Sequence, residues 1–481
     1  MTDSLFKDYF PFELNEDQET AFLNMAAFLE NDAYHIFQLI GYAGTGKTTL
    51  VSGFLKYLGE KELPVYLLAS TGRAAYILEK KTGIRASTVH SLIYKFSNLN
   101  VQLSELEDMQ QKKVKDEGGP ILLKFTIKTE TNVGNNVYII DESSMLSGYN
   151  ESSNSFGLFG TGNLIQDFIF RDPTSKFIFI GDPCQLPPVN LVHSPALNQQ
   201  YFPDAFGLDV WRYELKTVVR QVKESGILGV ATNLRILVEK PQNIPFPKLP
   251  VKGFSNIHLL PDEKALLDAY YEKLKAGKED ETIMICHTNR RCQTSNQYLR
   301  EKLFHQPERL MITDRYLVTQ NNLLTGLQNG DMVKLIEIGT YEVRCGLTFR
   351  EVITEGVESK TKYKHLIIEE LLSLPQANIT EMQQKLLFID FDKRMKAHKI
   401  YQDSEEYNYA MTKDPYLNAL KVNYGWALTC HKAQGGEWEE VFLLQDGKIY
   451  HIPSPQIYKW WYTAITRASK ELYLINNSIL R

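Results

Sequence analysis

The stretch Phe37–Leu50, F-Q-L-I-G-Y-A-G-T-G-K-T-T-L, indicates how this chain folds. It reads as a short apolar strand, a glycine-rich loop and the start of a helix. Residues 41–48, G-Y-A-G-T-G-K-T, match the phosphate-binding pattern G-x-x-x-x-G-K-S/T in full. The glycines let successive N–H groups point at one anion, and the helix N-terminus adds partial positive charge. The stretch therefore predicts a nucleoside triphosphate site, which we call the P-loop.

Two P-loop side chains carry the chemistry: Lys47 places a point charge on the outer phosphates, and the Thr48 hydroxyl can bind Mg²⁺. Gln18 lies three residues after the predicted N-cap Asn15, where a capping-box glutamine would lie. A glutamine that reads the adenine edge is the alternative, and the sequence leaves both interpretations open. The predicted nucleotide-binding residues are Gln18, Gly41, Ala43, Gly44, Thr45, Gly46, Lys47, Thr48 and Thr49.

The bulk composition is that of a multidomain globular protein. A chain of 481 residues predicts roughly two to four domains. Its five cysteines are scattered without C-x-x-C spacing, which favours reduced thiols in a cytosolic protein over a zinc site or disulfide framework. We see no signal peptide and no apolar run near the ~20 residues of a membrane span, so we expect a cytoplasmic protein without a membrane partner. A net charge of −5 counts only slightly against nucleic acid, because one channel can be locally basic.

Polar residues follow several buried-strand patterns, where ligands bind in open α/β sheets. S-T-G-R-A-A at 70–75 follows an apolar run, and A-S-T-V-H-S at 86–91 repeats this chemistry. Hydroxyl and glycine residues there suit contacts to a phosphate chain, although an ordinary turn is an alternative. A lone His90 would more often be structural. The candidate nucleic-acid contacts of this half are Thr71, Arg73, Thr88 and His90.

An apolar strand pattern at 137–140 ends in two carboxylates. Asp141 would bind Mg²⁺, and Glu142 would activate the attacking water. Another apolar run, 177–180, leads into G-D-P-C-Q-L-P-P, in which Gln185 could sense the γ-phosphate. Residues 96–136 interrupt the alternation of strand and helix patterns. They predict an inserted arm, with a lysine-bearing helical stretch and a β-hairpin. Its charges fit a solvated surface at least as well as a DNA contact.

In this order, the motifs resemble the first motor domain of a superfamily 1 helicase of the RecD-like and Dda-like branch. The second half is similar to the same family at L-K-T-V-V-R-Q (215–221), H-T-N (287–289), Y-G-W-A-L-T-C-H-K-A-Q-G-G-E-W (424–438) and W-W-Y-T-A-I-T-R-A (460–468). The resemblance implies that Arg220 and Arg467 reach the γ-phosphate from the second domain. It also implies DNA contacts at Asn289, Thr429 and His431, and a link through Gln434 and Gly435 to the nucleotide. Trp426 and Trp438 are expected in the core.

The predicted fold class is α/β, with two RecA-like P-loop NTPase domains built on parallel sheets. The expected boundaries are 1–205 for motor domain 1, with the arm at about 96–136, and 206–320 with 416–481 for motor domain 2. The family implies an inserted SH3-like β-subdomain at 321–415. Within it we expect a turn at Asn329-Gly330 and strands at 332–338, 341–348 and 364–369. Most of 371–421 suggests no regular element.

The resemblance implies an ATP- and Mg²⁺-dependent DNA helicase that moves 5′-to-3′ on single-stranded DNA and unwinds forked duplex DNA. We expect a monomer that serves DNA replication, recombination or repair, associated with the nucleoid if the source is bacterial. The predicted catalytic residues are Lys47, Glu142, Gln185, Arg220 and Arg467, and the predicted metal ligands are Thr48 and Asp141. An RNA-directed relative, a P-loop phosphotransferase and a DNA-dependent ATPase that does not translocate remain as alternatives. The arm at 96–136 is the candidate strand-separating wedge.

Overall fold

The computed structural model describes residues 8–103, 121–129, 134–148, 157–219, 226–240, 247–251, 253–375, 378–402, 404–445, 449, 451–477 and 480. Its strands are β1 (Ile36–Gly41), β2 (Val65–Ala69), β3 (Ala86–Thr88), β4 (Tyr94–Leu99), β5 (Leu123–Ile127), β6 (Val137–Asp141), β7 (Gly157–Phe159), β8 (Lys176–Gly181), β9 (Val210–Leu215), β10 (Ile257–Leu260), β11 (Thr282–Cys286), β12 (Arg315–Val318), β13 (Met332–Arg344), β14 (Leu347–Gly356), β15 (Lys362–Ile368), β16 (Val422–Tyr424), β17 (Ala427–Thr429), β18 (Trp438–Leu444) and β19 (Ala468–Ile475).

The described α-helices connect and cover these strands. They are α1 (Glu16–Leu29), α2 (Lys47–Glu60), α3 (Gly72–Thr82), α4 (Val89–Ile93), α5 (Leu164–Arg171), α6 (Tyr201–Phe206), α7 (Gly226–Glu239), α8 (Glu263–Lys275), α9 (Asn289–Leu303), α10 (Glu381–Ala397), α11 (Glu405–Lys413), α12 (Cys430–Ala433) and α13 (Gln456–Ile465). Short 3₁₀ turns occur at Ser143–Met145, Pro195–Leu197 and Glu369–Ser373. None of these helices is both long and apolar enough to cross a membrane.

The first sheet contains six parallel strands in the order β3-β2-β6-β8-β1-β9. β1, β6 and β8 are apolar runs buried along nearly their whole length, as expected where helices cover both faces of a parallel sheet. The P-loop follows the carboxyl end of β1, and the acidic pair follows β6. Because all strands run the same way, these segments share one sheet edge.

The second sheet also consists of parallel strands, in the order β10-β19-β18-β11-β17. Its core continues into helix α13, where Trp461, Tyr462 and Ile465 are buried. Tyr42 of the P-loop belongs to this same hydrophobic cluster, so the two sheets meet at the P-loop. Trp426 and Trp438 are also buried, which confirms that both pack in the core.

An antiparallel sheet of order β15-β14-β13-β12-β16 spans 315–424 and extends beyond the predicted 321–415 at both ends. The predicted turn at Asn329-Gly330 is confirmed, with φ +99° at Gly330. The predicted strand at 341–348 is wrong because the chain reverses inside it. Cys345 and Gly346 have φ of 52° and 73°, and β13 pairs with β14 across this turn.

Residues 371–421, most of which suggested no regular element in the sequence, contain helices α10 and α11. Leu387 of α10 packs on the antiparallel sheet, whereas Phe388 and Phe391 pack toward Leu99 and Ile121 of the arm. Because α10 buries more than one face, its sequence shows no single apolar stripe. Strands β4 and β5 of the arm pair antiparallel, and β7, which follows the arm in the chain, pairs with β5 in parallel. The arm's predicted helical stretch, with Lys112, Lys113 and Lys115, lies outside the described residues.

The mixed α/β architecture with parallel sheets confirms the predicted fold class. The domain boundaries and the SH3-like nature of the β-subdomain remain predictions.

The helix that follows the P-loop is held in place by a close contact with the N-terminal segment. A Cβ on Gly53 of α2 would lie 2.0 Å from Cζ of Phe10, which is itself buried.

This contact predicts that Gly53→Ala destabilises the protein by about 1–3 kcal/mol, because Phe10 would have to leave its packed position. Gly59→Ala is the matched control on the same helix, since a Cβ there meets nothing within 4 Å. Alanine's higher helix propensity should make that variant about 0.5–1 kcal/mol more stable. Thermal and urea unfolding of both variants would test this. Equal stability of the two variants would contradict the packing assigned to Phe10.

Candidate active site

The P-loop has the backbone shape that its sequence predicts. Gly44 and Gly46 have φ of 79° and 83°, in the left-handed region that favours glycine. At Gly41 a Cβ would lie 2.8 Å from Cγ of Lys47. The Lys47 ammonium folds back and donates to the carbonyls of Gly41 at 2.7 Å and Tyr42 at 3.2 Å. A phosphate in the loop would offer this ammonium a charged acceptor in place of neutral carbonyls.

Gln18 performs the capping role and also contacts the P-loop. Its Oε1 accepts from the Asn15 N–H at 3.3 Å, and its own N–H donates to the Asn15 side chain at 2.9 Å, which completes a capping box. Its Nε2 donates to the Thr45 carbonyl at 3.2 Å. The capping interpretation is confirmed. Adenine reading stays a prediction for a side chain that borders the nucleotide loop.

The carboxyl groups of Asp141, Glu142 and Asp182 interact at the sheet edge, and the Lys47 ammonium acts on two of them, Asp141 and Asp182. Burial, followed by the negative charge of Glu142, raises the pKa of Asp141 to about 6. Burial also raises the pKa of Asp182, against the opposing effect of the Lys47 ammonium. The Glu142 backbone has φ 51°, which is uncommon for a residue other than glycine and is found at functional sites. The strand ends thus gather desolvated acids around one cation, which suits an added divalent ion.

Gln185 lies in the loop after β8, and only 5% of it is exposed. Its Oε1 has no hydrogen-bond partner among the described residues. Such an orphaned buried acceptor is costly unless a ligand or water supplies the missing donor. The folded-back lysine, the desolvated acids and this unsatisfied amide together fit a Mg²⁺–nucleotide with an attacking water.

Helix α13 brings the second sheet's residues onto this edge. The Tyr462 hydroxyl accepts from the Ala43 N–H of the P-loop at 2.8 Å and donates to Oδ2 of Asp182 at 2.6 Å. The next residue, Thr463, accepts from the Leu186 N–H at 2.9 Å. Gln434 donates to the Leu186 carbonyl at 3.0 Å. Hydrogen bonds therefore join the two halves directly at the nucleotide loop.

Arg467 is buried just beyond α13, with its guanidinium held by its own half. It donates to the carbonyls of Thr463 and Gly436, both at 3.1 Å. Gly435, with φ 76°, packs against Ala74 of α3 on the other half, and a Cβ there would lie 2.9 Å from the Ala74 Cβ. The structure therefore places Gly435 at the contact between halves, where its missing side chain permits close approach.

Arg220 lies outside the described residues. The segment that leads to it runs along the P-loop, because the Val219 N–H donates to the Gly44 carbonyl at 2.9 Å. Asp17 anchors the same segment by accepting from the N–H groups of Lys216 and Thr217.

The candidate nucleic-acid residues of the first half lie at neighbouring strand ends. Thr71 lies two residues after β2, and Thr88 is the last residue of the adjacent strand β3. Each hydroxyl caps the next helix, by accepting from the N–H groups of Ala74 and Ser91 respectively. His90 packs edge-on against Phe159, and burial lowers its pKa to about 4. The imidazole is therefore neutral at physiological pH, which suits the structural interpretation.

Arg73 lies at a junction of several elements instead of facing solvent. Only 7% of it is exposed, and its guanidinium stacks on the Trp438 ring at 4.3 Å from the centroid. It forms an ion pair with Glu358 at 2.9 Å and donates to the Met332 sulfur at 3.5 Å. In this arrangement the guanidinium of Arg73, which the sequence predicts to contact DNA, binds protein groups instead.

In the second half, the sheet brings two candidates together. Asn289 and Thr429 line one cavity with Lys432, because β11 and β17 are adjacent parallel strands. Asn289 is exposed at the first turn of α9, and Thr429 precedes α12. Burial, and then the nearby His287, lower the pKa of His431. Asn289, Thr429 and Lys432 thus give this cavity a polar lining with one positive charge.

The sequence reading missed the roles of Asp182, Tyr462 and Thr463. Asp182 lies at the end of a predicted strand, and its position beside the P-loop could have been inferred from strand order. Tyr462 and Thr463 lie within the quoted segment 460–468, but only the three-dimensional contact shows which of its polar groups touches the P-loop.

Comparison with known proteins agrees with this geometry. Residues 13–153 match the model of an AAA domain, and residues 424–475 match that of a UvrD-like helicase C-terminal domain. The ATP-dependent DNA helicase dda of Enterobacteria phage T4 is 27% identical over 489 residues, covering 96% of this chain and 99% of the relative. An uncharacterized protein of Acanthamoeba polyphaga mimivirus is 22% identical over 516 residues, covering 95% and 99% respectively. The chain is therefore similar to Dda-like superfamily 1 helicases.

The chain is also similar to a solved structure. Pif1 helicase from Bacteroides, in complex with ADP-AlF3 and single-stranded DNA, is 15% identical, with a TM-score of 0.47. The match covers 97% of this chain and 94% of that one.

We expect Glu142→Gln to lower DNA-stimulated ATP hydrolysis about 10²–10⁴-fold, because it would remove the carboxylate predicted to accept the water's proton. The binding of a fluorescent ATP analogue should be preserved. Glu16→Gln, at an exposed position at the start of α1, is the charge-matched control. Steady-state ATPase assays with saturating single-stranded DNA would measure the effect. Near-normal turnover in Glu142→Gln would remove Glu142 from the mechanism.

Proposed function

We propose that this chain uses ATP hydrolysis to move 5′-to-3′ along single-stranded DNA and to unwind the duplex ahead of it. The observation that carries the proposal is the split nucleotide site. The P-loop of one parallel sheet is contacted directly by Tyr462 from the second. A site built from two halves responds to nucleotide by changing how the halves fit together, and such a change can drive motion.

The first half binds and orients ATP. The P-loop N–H groups and Lys47 would hold the phosphates, and Thr48 with Asp141 would hold Mg²⁺. The metal would supply charge neutralisation for the transferred phosphoryl group. Glu142 accepts the proton of the attacking water, and Gln185 orients that water through its unpartnered Oε1.

The second half completes the site only when it closes. Arg467 exchanges its carbonyl partners for the γ-phosphate, since a charged acceptor binds a guanidinium more strongly than a neutral one. Arg220 reaches the same phosphate from the segment beside Gly44. Hydrolysis removes the group that both arginines bind, and the halves separate.

DNA is bound along the strand ends of both halves, through Thr71, Arg73, Thr88 and His90 on one side and Asn289, Thr429 and His431 on the other. Contacts of this kind, to phosphate and sugar, are tolerant of sequence. For Arg73, DNA binding requires release from Glu358 and Trp438. Cleft closure changes the distance between the two sets, so the strand advances with each cycle.

We further propose the division into motor domains at 1–205 and at 206–320 with 416–481, with an SH3-like subdomain inserted at 321–415. The arm at 96–136 serves as the wedge at a DNA fork. The protein acts as a cytoplasmic monomer, nucleoid-associated if the source is bacterial.

Strand displacement tests the direction of movement. With labelled duplexes carrying a single-stranded tail, unwinding should require ATP and a 5′ tail, and a 3′ tail should support none. Lys47→Ala is the control, because it removes the phosphate-binding ammonium and should abolish unwinding while the fold is retained. Unwinding from a 3′ tail alone would refute the proposed polarity. Unwinding that survives Lys47→Ala would refute the site.

A second measurement tests whether DNA or RNA stimulates the ATPase activity. ATPase activity should rise on addition of single-stranded DNA and respond weakly to RNA of the same sequence. The stimulation should also fall steeply with salt, since backbone binding releases counterions. Stronger stimulation by RNA would identify an RNA-directed enzyme. DNA stimulation without strand displacement from any tail would indicate an ATPase that does not unwind.

A further inference from the structure

The hydroxyl of Tyr462 is hydrogen-bonded to the loop that is predicted to bind phosphate. It accepts from the Ala43 N–H at 2.8 Å, and it donates to Asp182 at 2.6 Å. Only 1% of Tyr462 is exposed, so the ring is fixed by packing and the hydroxyl cannot rotate freely into solvent. One phenol thus bridges the P-loop and the end of β8 from the opposite half of the molecule.

Both partners belong to the phosphate-binding edge. Ala43 lies within the anion-binding loop, and the Lys47 ammonium is close enough to Asp182 to oppose the effect of burial on its pKa. Burial also holds the pKa of Tyr462 well above its ordinary value, so the phenol keeps its proton at physiological pH. It therefore remains a hydrogen-bond donor beside the outer phosphates.

We propose that Tyr462 is a positioning residue for ATP hydrolysis, whose hydroxyl moves from Ala43 and Asp182 to the γ-phosphate when ATP binds. This inference rests on the proposed ATPase function. A phosphate oxygen accepts hydrogen bonds from the loop N–H groups and so competes with the phenol oxygen for Ala43. It also gives the phenol O–H a strong charged acceptor, which ADP lacks at the γ position.

Helix α13, which carries Tyr462, connects the change of hydrogen-bond partner at the Tyr462 hydroxyl to Arg467. α13 ends at Ile465, and Arg467 lies two residues further on, with its guanidinium bonded back to Thr463. Thr463 in turn accepts from the Leu186 N–H in the loop that contains Gln185. A change at the Tyr462 hydroxyl therefore shifts the group that holds Arg467 and the loop that holds the water-orienting amide.

Tyr462→Phe tests the inference because it removes one oxygen and keeps the buried ring. The expected kcat of the DNA-stimulated ATPase is about 10- to 100-fold lower, as for the loss of one hydrogen bond to a charged group. KM for ATP should stay within about threefold, since the variant also frees the Ala43 N–H for phosphate. Tyr458→Phe is the matched control: its ring is equally buried on the same helix and packs against Trp461.

A second readout does not depend on hydrolysis. Binding of a non-hydrolysable ATP analogue and of ADP is compared by competition with a fluorescent nucleotide. Wild type and Tyr458→Phe should prefer the analogue, and Tyr462→Phe should lose about tenfold of that preference. An unchanged preference together with an unchanged kcat would overturn the inference. A wild-type protein without any DNA-stimulated ATPase would instead overturn the proposed function, whereas the nucleotide preference would still decide the role of Tyr462.

Discussion

Lys47 lies beside the carboxyl groups of Asp141 and Asp182, where burial has removed the water that would otherwise screen their charges. Glu142 adds a further negative charge, so acids outnumber the cation at this edge of the sheet. Adding the phosphates of a nucleotide makes the imbalance larger. Binding a nucleotide here would therefore require more positive charge, which the proposed Mg²⁺ and an arginine from the second half would supply. This electrostatic deficit supports the proposal that the two halves share the site.

In the structure the second half contacts that edge through neutral groups. Tyr462, Thr463 and Gln434 form hydrogen bonds to the P-loop and the loop after β8, while Arg467 remains bonded to carbonyls of its own half. Neutral hydrogen bonds of this kind each contribute about 0.5–1.5 kcal/mol net, which is small enough to exchange in every catalytic cycle. A charged contact made before ATP arrives would be harder to release. The arrangement thus keeps the halves aligned without committing the arginine.

The sequence predicts best those features that are local. The P-loop, the acids at the end of β6 and the alternation of strand and helix can each be recognised within a short stretch of sequence. Because the carboxyl ends of parallel strands meet at one edge of a sheet, their proximity can also be predicted. The contact between Tyr462 and Ala43 joins segments distant in the chain, and no periodicity reports it. Helix α10 was missed because it is apolar on several faces. The stretch 341–348 was expected to be one strand because apolar and polar residues alternate along it, but it contains the turn at Cys345 and Gly346.

Arg73 shows how a correct motif can lead to an incomplete interpretation. Its position after β2 places it at the edge where DNA is expected, but its guanidinium stacks on Trp438 and pairs with Glu358. An arginine pays a smaller desolvation cost than a lysine at such a site, because its charge is delocalised and its flat face stacks. Through it, helix α3, the second parallel sheet and the β-subdomain share one contact. If DNA binds Arg73 as proposed, the phosphate has to loosen all three, and DNA binding would then be coupled to domain movement.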